Sequence, residues 1–337
     1  MKKIKICLLA ILTSSGFFLK LHTQIPAHLD EDNWVLNTTK SDEFDGIVLD
    51  NSKWDALDPT LNPPIGCNCW GGGAIFRPIN VSVDGNYLNL EVEDKPSDTL
   101  YYSGGVQSVN ENFSYGYFEI SAKLPGFYLS EEEPCGKGFW PAFWTYHVEY
   151  SGNCRVIHDE LDILEPSGKQ YENANVNVAG WHDEYLPSCD TDHVKLGEVI
   201  YTHNEPLFED YHKYAAEWLP DRIIFYFDDQ PIYVEYDHPK MIMDPQFVVI
   251  DQQIMGSYSL HPSTVLPDTM SVDYFRYYEL NLDSCTQNVT ILNNSQLNSL
   301  SGVRNNITIG NGSSNISLSS GQTKTLRASN KITINGE

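Results

Sequence analysis

The chain is poor in basic residues: its 337 residues include 21 Lys and Arg against 46 Asp and Glu, a formal net charge of −25. The acidic residues are spread along the sequence and do not gather in one tail. A surface this negative repels phosphate backbones, so the composition argues against a nucleic-acid partner. A neutral polymer is indifferent to that field, whereas a sulfated polymer would be mildly repelled.

Long apolar runs are also scarce. The one at the N-terminus follows three lysines within the first five residues, extends over residues 6–19 and is interrupted by Thr and Ser at 13–15. A short, interrupted apolar stretch after a basic start is typical of a secretory signal peptide and is short for a membrane span. We therefore predict a signal peptide at residues 1–23 and a secreted or cell-surface protein with no membrane contact beyond export. A retained membrane anchor is the alternative.

Cysteine pairs at zinc-ligand spacing are lacking as well. Outside the predicted signal peptide the cysteines are Cys67, Cys69, Cys135, Cys154, Cys189 and Cys285. The pair at 67 and 69 has no second cysteine or histidine pair to complete a zinc site, so structural thiols or disulfides are favoured over a metal. An even number of cysteines in an exported chain suggests disulfides, whose pairing the sequence leaves open.

Helical periodicity is scarce, and short alternating strands recur instead between residues 41 and 282. Examples are residues 87–92, 117–124 and 222–227. Many short strands separated by Gly, Pro, Asn and Asp clusters indicate an antiparallel β-sandwich. We therefore predict an all-β jelly roll for residues 41–282, preceded by a polar lead-in at 24–40.

The end of the chain lacks aromatic residues altogether. Residues 284–337 are rich in Asn, Ser, Thr and Gly, and the sequence Asn-Asn-Ile-Thr-Ile at 305–309 recurs as Asn-Lys-Ile-Thr-Ile at 330–334. A spaced repeat of this kind suggests small stacked strands, with a disordered linker as the alternative. We assign residues 283–337 to a repetitive β tail or partial β-repeat module. Its role as an anchor, a glycan-binding module or a spacer stays open.

Three carboxylates stand close together in the sequence Glu-Leu-Asp-Ile-Leu-Glu at residues 160–165. Strand alternation puts Glu160 and Asp162 on one face, and by strict period two Glu165 points to the other. A one-residue bulge near residues 163–164 would return Glu165 to the Glu160 face.

Two neighbouring carboxylates suit retaining glycoside hydrolysis. That reaction needs carboxyl groups roughly 5–5.5 Å apart, one to attack the anomeric carbon and one to protonate the departing oxygen and then activate water. Because two close carboxylates do not ionise together cheaply, the pKa of one rises toward neutrality. In a chain with 46 acidic residues, however, such a pattern arises by chance about once, so the cluster needs support from its neighbours.

Those neighbours resemble glycoside hydrolase family 16, the jelly-roll β-glucanases, agarases, carrageenases and their relatives. Five further segments fit the family in order: residues 41–46 with Trp54, 105–126, 140–144, 211–218 and 273–278. Six ordered matches between residues 41 and 279 are more specific than any one of them. The resemblance implies a concanavalin A-like jelly roll and glycosidase activity.

Carried over residue by residue, the resemblance makes Glu160 the nucleophile, Glu165 the general acid/base and Asp162 the assisting carboxylate. The six-residue form of the motif is similar to that of the laminarinase, agarase and carrageenase branch. The shorter Glu-x-Asp-x-Glu form of lichenases and xyloglucan enzymes is absent from this position.

The resemblance also implies residues that bind substrate. Trp140 and Trp144 are four apart and share a strand face, where indole rings can stack on the apolar faces of sugars. Asn80 matches a substrate-side asparagine, with a turn residue as the alternative, and Trp181 lies where the next cleft strand runs. At Ala179, laminarinase-like members often have a histidine, a departure that leaves the substrate open.

A structural calcium ion is the one metal that the resemblance implies. Glu43, the carbonyl of Gly85 and Asp273 match its ligand positions, and oxygen ligands suit that ion. An ordinary pair of surface acids is the alternative. No cofactor is expected for catalysis.

Together these features predict a secreted, monomeric, retaining endo-β-glycosidase that acts on a polysaccharide. The first candidate substrate is β-1,3-glucan of the laminarin type, and the second is a neutral galactan such as agarose. A transglycosylase and a non-catalytic carbohydrate-binding jelly roll are the alternatives.

Overall fold

The computed structural model describes residues 25–29, 34–60, 73–95, 101–130, 133–151, 154–166, 175–185, 191–203, 206–219, 222–236, 244–255, 260–280, 288–291, 304–309 and 328–334. The predicted signal peptide lies outside these residues. In the part of the chain that is described, we find no helix with the length and apolar character needed to span a membrane.

The described residues are almost entirely β-structure with one short 3-10 turn at Pro78–Asn80. In chain order the strands are β1 (Trp34–Leu36), β2 (Trp54–Ala56), β3 (Ala74–Phe76), β4 (Val81–Val83), β5 (Leu88–Asp94), β6 (Tyr101–Ser103), β7 (Gly105–Ser108), β8 (Gly116–Lys123), β9 (Phe127–Ser130), β10 (Glu133–Cys135), β11 (Phe139–Ser151), β12 (Cys154–Leu164), β13 (Asn175–Tyr185), β14 (Thr191–Thr202), β15 (His212–Leu219), β16 (Arg222–Phe227), β17 (Gln230–Tyr236), β18 (Phe247–Ile254), β19 (Asp268–Leu280), β20 (Asn288–Ile291), β21 (Arg304–Ile309) and β22 (Ala328–Ile334).

Two large sheets make up the domain. The larger sheet has the order β17-β16-β15-β8-β19-β5-β6-β3, with β1 added beside β19 and β4 beside β5. The smaller sheet has the order β14-β13-β12-β11-β18-β7-β2. Neighbouring strands are antiparallel except for the parallel pair β3 and β6, so the predicted antiparallel sandwich is confirmed.

The alternation read from the sequence decides which side chains reach the core. In β5, Leu88, Leu90 and Val92 are fully buried, while the residues between them are partly exposed. One buried apolar cluster joins the two sheets, and its members include Leu90, Phe118 and Phe275 from the larger sheet and Phe143, Leu161 and Ile250 from the smaller one. Because each strand gives one face to this core, the other face of the smaller sheet is left for the carboxylates of β12.

The repeat predicted near the end of the chain forms paired strands. β20, β21 and β22 make a separate parallel sheet in which Ile307 lies opposite Ile332 and Ile309 opposite Ile334. The two copies of the Ile-Thr-Ile sequence are therefore stacked in register.

One cysteine side chain falls within the described residues. Cys135 is buried and carries a free thiol. The other five cysteines of the predicted exported chain lie outside the described side chains, so disulfide formation among them stays a prediction.

Candidate active site

A bulge near the end of β12 brings all three predicted carboxylates to one face of the sheet. Against β11, Trp144 pairs with Asp162 and Phe143 pairs with Leu164, so Ile163 is an extra residue in β12. This is the bulge expected from the spacing of the acids. Ile163 and Leu164 are both buried in the core, and Glu165 returns to the face that carries Glu160 and Asp162.

These carboxylates line a cavity of about 230 Å³ on the smaller sheet. Its described lining residues are Trp140, Ala142 and Trp144 from β11, Glu160, Asp162 and Glu165 from β12 and its end, and Asp251 and Gln253 from β18. The two tryptophans give the cavity an apolar surface, and the carboxylates beside them give it a polar, reactive one. Sugars bind such sites well because their C–H faces stack on indole while their hydroxyls meet polar groups.

Glu165 has the properties of a proton donor at neutral pH. Burial and the nearby charge of Glu160 raise its pKa from 4.5 to about 7. The indole Nε1 of Trp140 donates a hydrogen bond to Oε1 of Glu165 over 3.1 Å, which opposes that rise. A carboxyl group that is still half protonated near pH 7 can act as a general acid and, once deprotonated, as a general base.

Glu160 has a partner that the sequence did not predict. Nε2 of His158 lies 3.1 Å from Oε2 of Glu160, and both side chains are partly buried. The two residues are two apart on β12 and therefore share its face. A ring nitrogen at this distance is within hydrogen-bonding reach of the carboxylate oxygen and can hold the Glu160 side chain in position.

Asp251 is a fourth carboxyl group in the pocket, which sequence reasoning missed. It is 3% exposed, and burial raises its pKa from 3.8 to about 7, opposed by a 2.9 Å hydrogen bond from Nε1 of Trp144. Its presence also raises the pKa of Glu165. Gly105 lies opposite Asp251, where a side-chain carbon would come within 2.8 Å of it, so the close packing requires glycine.

The residues predicted to bind substrate do not all lie in the described pocket lining. Trp140 and Trp144 line the cavity, and the backbone of Trp181 pairs with that of Glu160, although its side chain is not among those described. Asn80 is 3% exposed at the end of the 3-10 turn and does not appear in the pocket lining. Its amide accepts a hydrogen bond from Arg77 and donates one to Glu93, which fits the turn-residue alternative.

The residues predicted to bind calcium fit that ion only in part. Both carboxylate oxygens of Glu43 accept hydrogen bonds from Arg276, over 2.8 and 2.9 Å, so the Glu43 side chain is committed to this ion pair. Gly85 is in a turn with φ 95°, and Asp273 lies where the pairing of β19 with β8 shifts by one residue. Glu43 would therefore offer calcium its backbone carbonyl, and the calcium site stays a prediction.

Replacing the buried carboxyl group of Asp251 should change how stability depends on pH. The pKa of Asp251 lies at about 7 in the folded chain and at about 3.9 in the unfolded chain. Between these pH values the folded chain holds a proton that the unfolded chain releases. Stability therefore falls as the pH rises from about 3.9 to about 7. Asp251→Asn, which keeps an oxygen for Trp144, should reduce this fall by about 1.4 kcal/mol per pH unit. Urea unfolding between pH 5 and pH 7 measures this difference, with the exposed Asp45→Asn as control. Equal slopes for Asp251→Asn and wild type would contradict the assignment.

A two-sheet sandwich with a cleft of paired carboxylates and tryptophans defines the jelly-roll glycoside hydrolases as a class. Residues 34–280 match the family model described as "Beta-porphyranase A-D, GH16 domain". The chain therefore belongs to glycoside hydrolase family 16, as its motifs suggested.

The curated proteins that are similar in sequence to this chain include several glycanases. It is 25% identical over 293 residues to endo-1,3-1,4-β-glycanase ExsH of Rhizobium meliloti (strain 1021), covering 77% of this chain and 56% of the relative. It is 29% identical over 195 residues to β-porphyranase E of Zobellia galactanivorans, covering 55% of this chain and 63% of the relative. The chain thus spans less than two thirds of these relatives.

Solved structures share the fold. The laminarinase catalytic domain from Thermotoga petrophila RKU-1 has a TM-score of 0.56 at 24% identity and covers 74% of this chain and 99% of that domain. The κ-carrageenase from Pseudoalteromonas carrageenovora has a TM-score of 0.60 at 18% identity and covers 77% of this chain and 100% of that one. At these identities the likeness shows the jelly roll alone.

Proposed function

We propose that this domain is a retaining, endo-acting β-glycanase in which Glu160 is the nucleophile and Glu165 the general acid/base. The observation that carries the proposal is that two carboxyl groups in one pocket have different surroundings. Glu165 has its pKa raised to about 7 by burial and by Glu160, while Glu160 has an imidazole nitrogen 3.1 Å away. Glu165 is therefore suited to hold a proton, and Glu160 lines the same pocket as the second carboxyl group that retaining hydrolysis needs.

The first step cleaves the glycosidic bond. The proton of Glu165 passes to the departing oxygen while a carboxylate oxygen of Glu160 attacks the anomeric carbon, so one C–O bond breaks and a glycosyl ester forms. The ester no longer carries the charge of Glu160. Because that charge contributes to the raised pKa of Glu165, its loss lowers the pKa and leaves Glu165 as a carboxylate base.

The second step returns the enzyme to its starting state. Glu165 takes a proton from water, whose oxygen attacks the anomeric carbon, and the ester bond to Glu160 breaks with net retention. Asp162, 4% exposed and on the same face of β12, has the role of assisting the nucleophile in this proposal. In a transglycosylase the hydroxyl of a second sugar would replace the water.

The sugar unit over Glu160 should be uncharged. The described pocket lining contains four carboxyl groups, and Lys and Arg do not occur in that described set, so an anionic sugar there would meet like charge. This restriction applies to one subsite and permits several polysaccharides. β-1,3-Glucan was the first candidate from the sequence, and porphyran joins it because a porphyranase model matches residues 34–280. Porphyran is a sulfated galactan, and its unsulfated galactose units would meet the restriction at this subsite.

The substrate experiment is reducing-end release from porphyran, laminarin, mixed-linkage glucan, agarose and carrageenan. Glu160→Gln is assayed beside the wild type, and product sizes are measured. Release of oligosaccharides from one polymer by the wild type alone supports the proposal and identifies the substrate. Folded wild type that binds one of these polymers without cleaving it would overturn the enzyme assignment in favour of a carbohydrate-binding jelly roll.

We also propose that the domain acts outside the cytoplasm as a monomer. The support for export is the basic and interrupted apolar start of the sequence. Mass spectrometry of the secreted chain should find residues 1–23 removed, and light scattering should give the mass of one chain. An uncleaved chain confined to the cytoplasm would contradict the proposal on export.

A further inference from the structure

Two histidines and an aspartate come together at a place far along the sequence from the carboxylates of the pocket. One ligand atom each from His203, His212 and Asp228 lies within 4.8 Å of the others. His203 directly follows β14, His212 begins β15, and Asp228 follows β16. Three separate elements therefore supply the three donor groups.

The turn after β16 fixes the carboxylate of this group. Asp228 has φ 47°, in the left-handed region where non-glycine residues are uncommon. Its Oδ1 accepts a 2.8 Å hydrogen bond from the backbone N–H of Lys213, and its Oδ2 lies 2.8 Å from Nδ1 of His212. One oxygen thus positions the side chain and the other faces the imidazoles.

The two imidazole rings are held by packing on one aromatic residue. The ring of His212 stacks on Phe227 with centroids 5.1 Å apart, and the ring of His203 lies 4.8 Å from Phe227 and 4.9 Å from His212. His212 is 9% exposed, whereas the side chain of Asp228 is 41% exposed. The rings are therefore constrained while the carboxylate side remains open to solvent.

We propose that His203, His212 and Asp228 form a binding site for a transition-metal ion, with zinc as the first candidate. Imidazole nitrogen and carboxylate oxygen are zinc ligands, whereas calcium and magnesium prefer oxygen ligands alone. Ligands at about 2.0–2.1 Å from a tetrahedral zinc lie roughly 3.3 Å apart, so small side-chain movements bring this group into range. Water from the open side supplies the fourth ligand.

Such an ion would join the two sheets of the domain. His203 directly follows β14, the outermost strand of the smaller sheet, whereas His212 begins β15 and Asp228 follows β16, which are strands of the larger sheet. β14 pairs with β13, which pairs with the catalytic strand β12. Zinc would therefore stabilise the edge of the sheet that carries the pocket without taking part in glycoside cleavage.

The test uses metal binding and thermal unfolding of the full exported chain. Isothermal titration with zinc after chelator treatment should show a site with Kd on the order of micromolar or tighter, and zinc at 100 times Kd should raise Tm by roughly 5–10 °C. Calcium should not compete for this site. His203→Gln and Asp228→Asn should each lose one equivalent of zinc, while His261→Gln, a histidine on another loop, should retain it.

Measuring Tm of each variant in chelator separates metal loss from misfolding. A variant that unfolds like the wild type in chelator but gains no Tm with zinc supports the site. Zinc binding that is absent from the wild type, or unchanged in both His203→Gln and Asp228→Asn, would overturn the proposal. Neither result depends on glycanase activity, so failure of this site and failure of the proposed function are distinguishable.

Discussion

Replacing Glu160 by Gln should lower kcat by about 10⁴-fold or more, because the amide of Gln cannot form the glycosyl ester. The amide keeps the size of the side chain and a contact for His158, so the fold should persist. Since the charge of Glu160 raises the pKa of Glu165, the variant should also lower that pKa. The measurements are kcat on the best polymer of the panel and an NMR titration of Glu165.

A matched control is Glu149→Gln, the same chemical change on the neighbouring strand at a side chain that is 51% exposed. It should leave kcat within a factor of two. A sharper test of the role adds azide to Glu160→Ala with an aryl β-glycoside of the substrate oligosaccharide. Azide entering the space left by Glu160 should give the α-glycosyl azide. A β-azide, or wild-type kcat in Glu160→Gln, would reject Glu160 as the nucleophile.

Replacing Glu165 by Gln should have the second largest effect, a loss of about 10²–10⁴-fold in kcat on the natural polymer. The loss should shrink on an aryl glycoside whose leaving group needs no proton, because Glu165 protonates that oxygen in the first step. The hydrolysis of the ester still needs a base, so the intermediate should then accumulate. Intact-protein mass spectrometry would detect the added glycosyl mass, and peptide mapping would locate it on Glu160.

The pH profile supplies an independent test of Glu165. The protonated carboxyl is the active form in bond cleavage, and its pKa is about 7. Wild-type kcat/KM should therefore fall about tenfold per pH unit above pH 7. Glu165→Gln has no proton to lose and should not show this fall on the aryl glycoside. An unchanged alkaline limb in the variant would assign the titration to another group.

Local sequence patterns predicted the part of the site that lies on one strand. The spacing of Glu160, Asp162 and Glu165 required a bulge for all three to share a face, and the extra residue occurs at Ile163. The same two-residue alternation placed Trp140 and Trp144 on the pocket side of β11. These predictions worked because side-chain direction in a strand depends on nearest neighbours in the sequence.

Features that depend on distant parts of the chain were missed. Asp251 approaches Glu165 because β18 pairs with β11, and its pKa depends on burial between elements more than 100 residues apart, including its bond to Trp144. The ion pair between Glu43 and Arg276, 233 residues apart in the chain, was also missed. His158 was detectable in principle, because it precedes Glu160 by two residues and shares its face.

The most direct test of the central claim is the anomeric configuration of the first product. Proton NMR during the first minutes of wild-type hydrolysis distinguishes the α and β hemiacetals before they equilibrate. A double displacement through Glu160 predicts that the β-anomer appears first and the α-anomer grows later by mutarotation. Initial formation of the α-anomer would show a single inverting displacement and would contradict the assignment of Glu160 as a nucleophile.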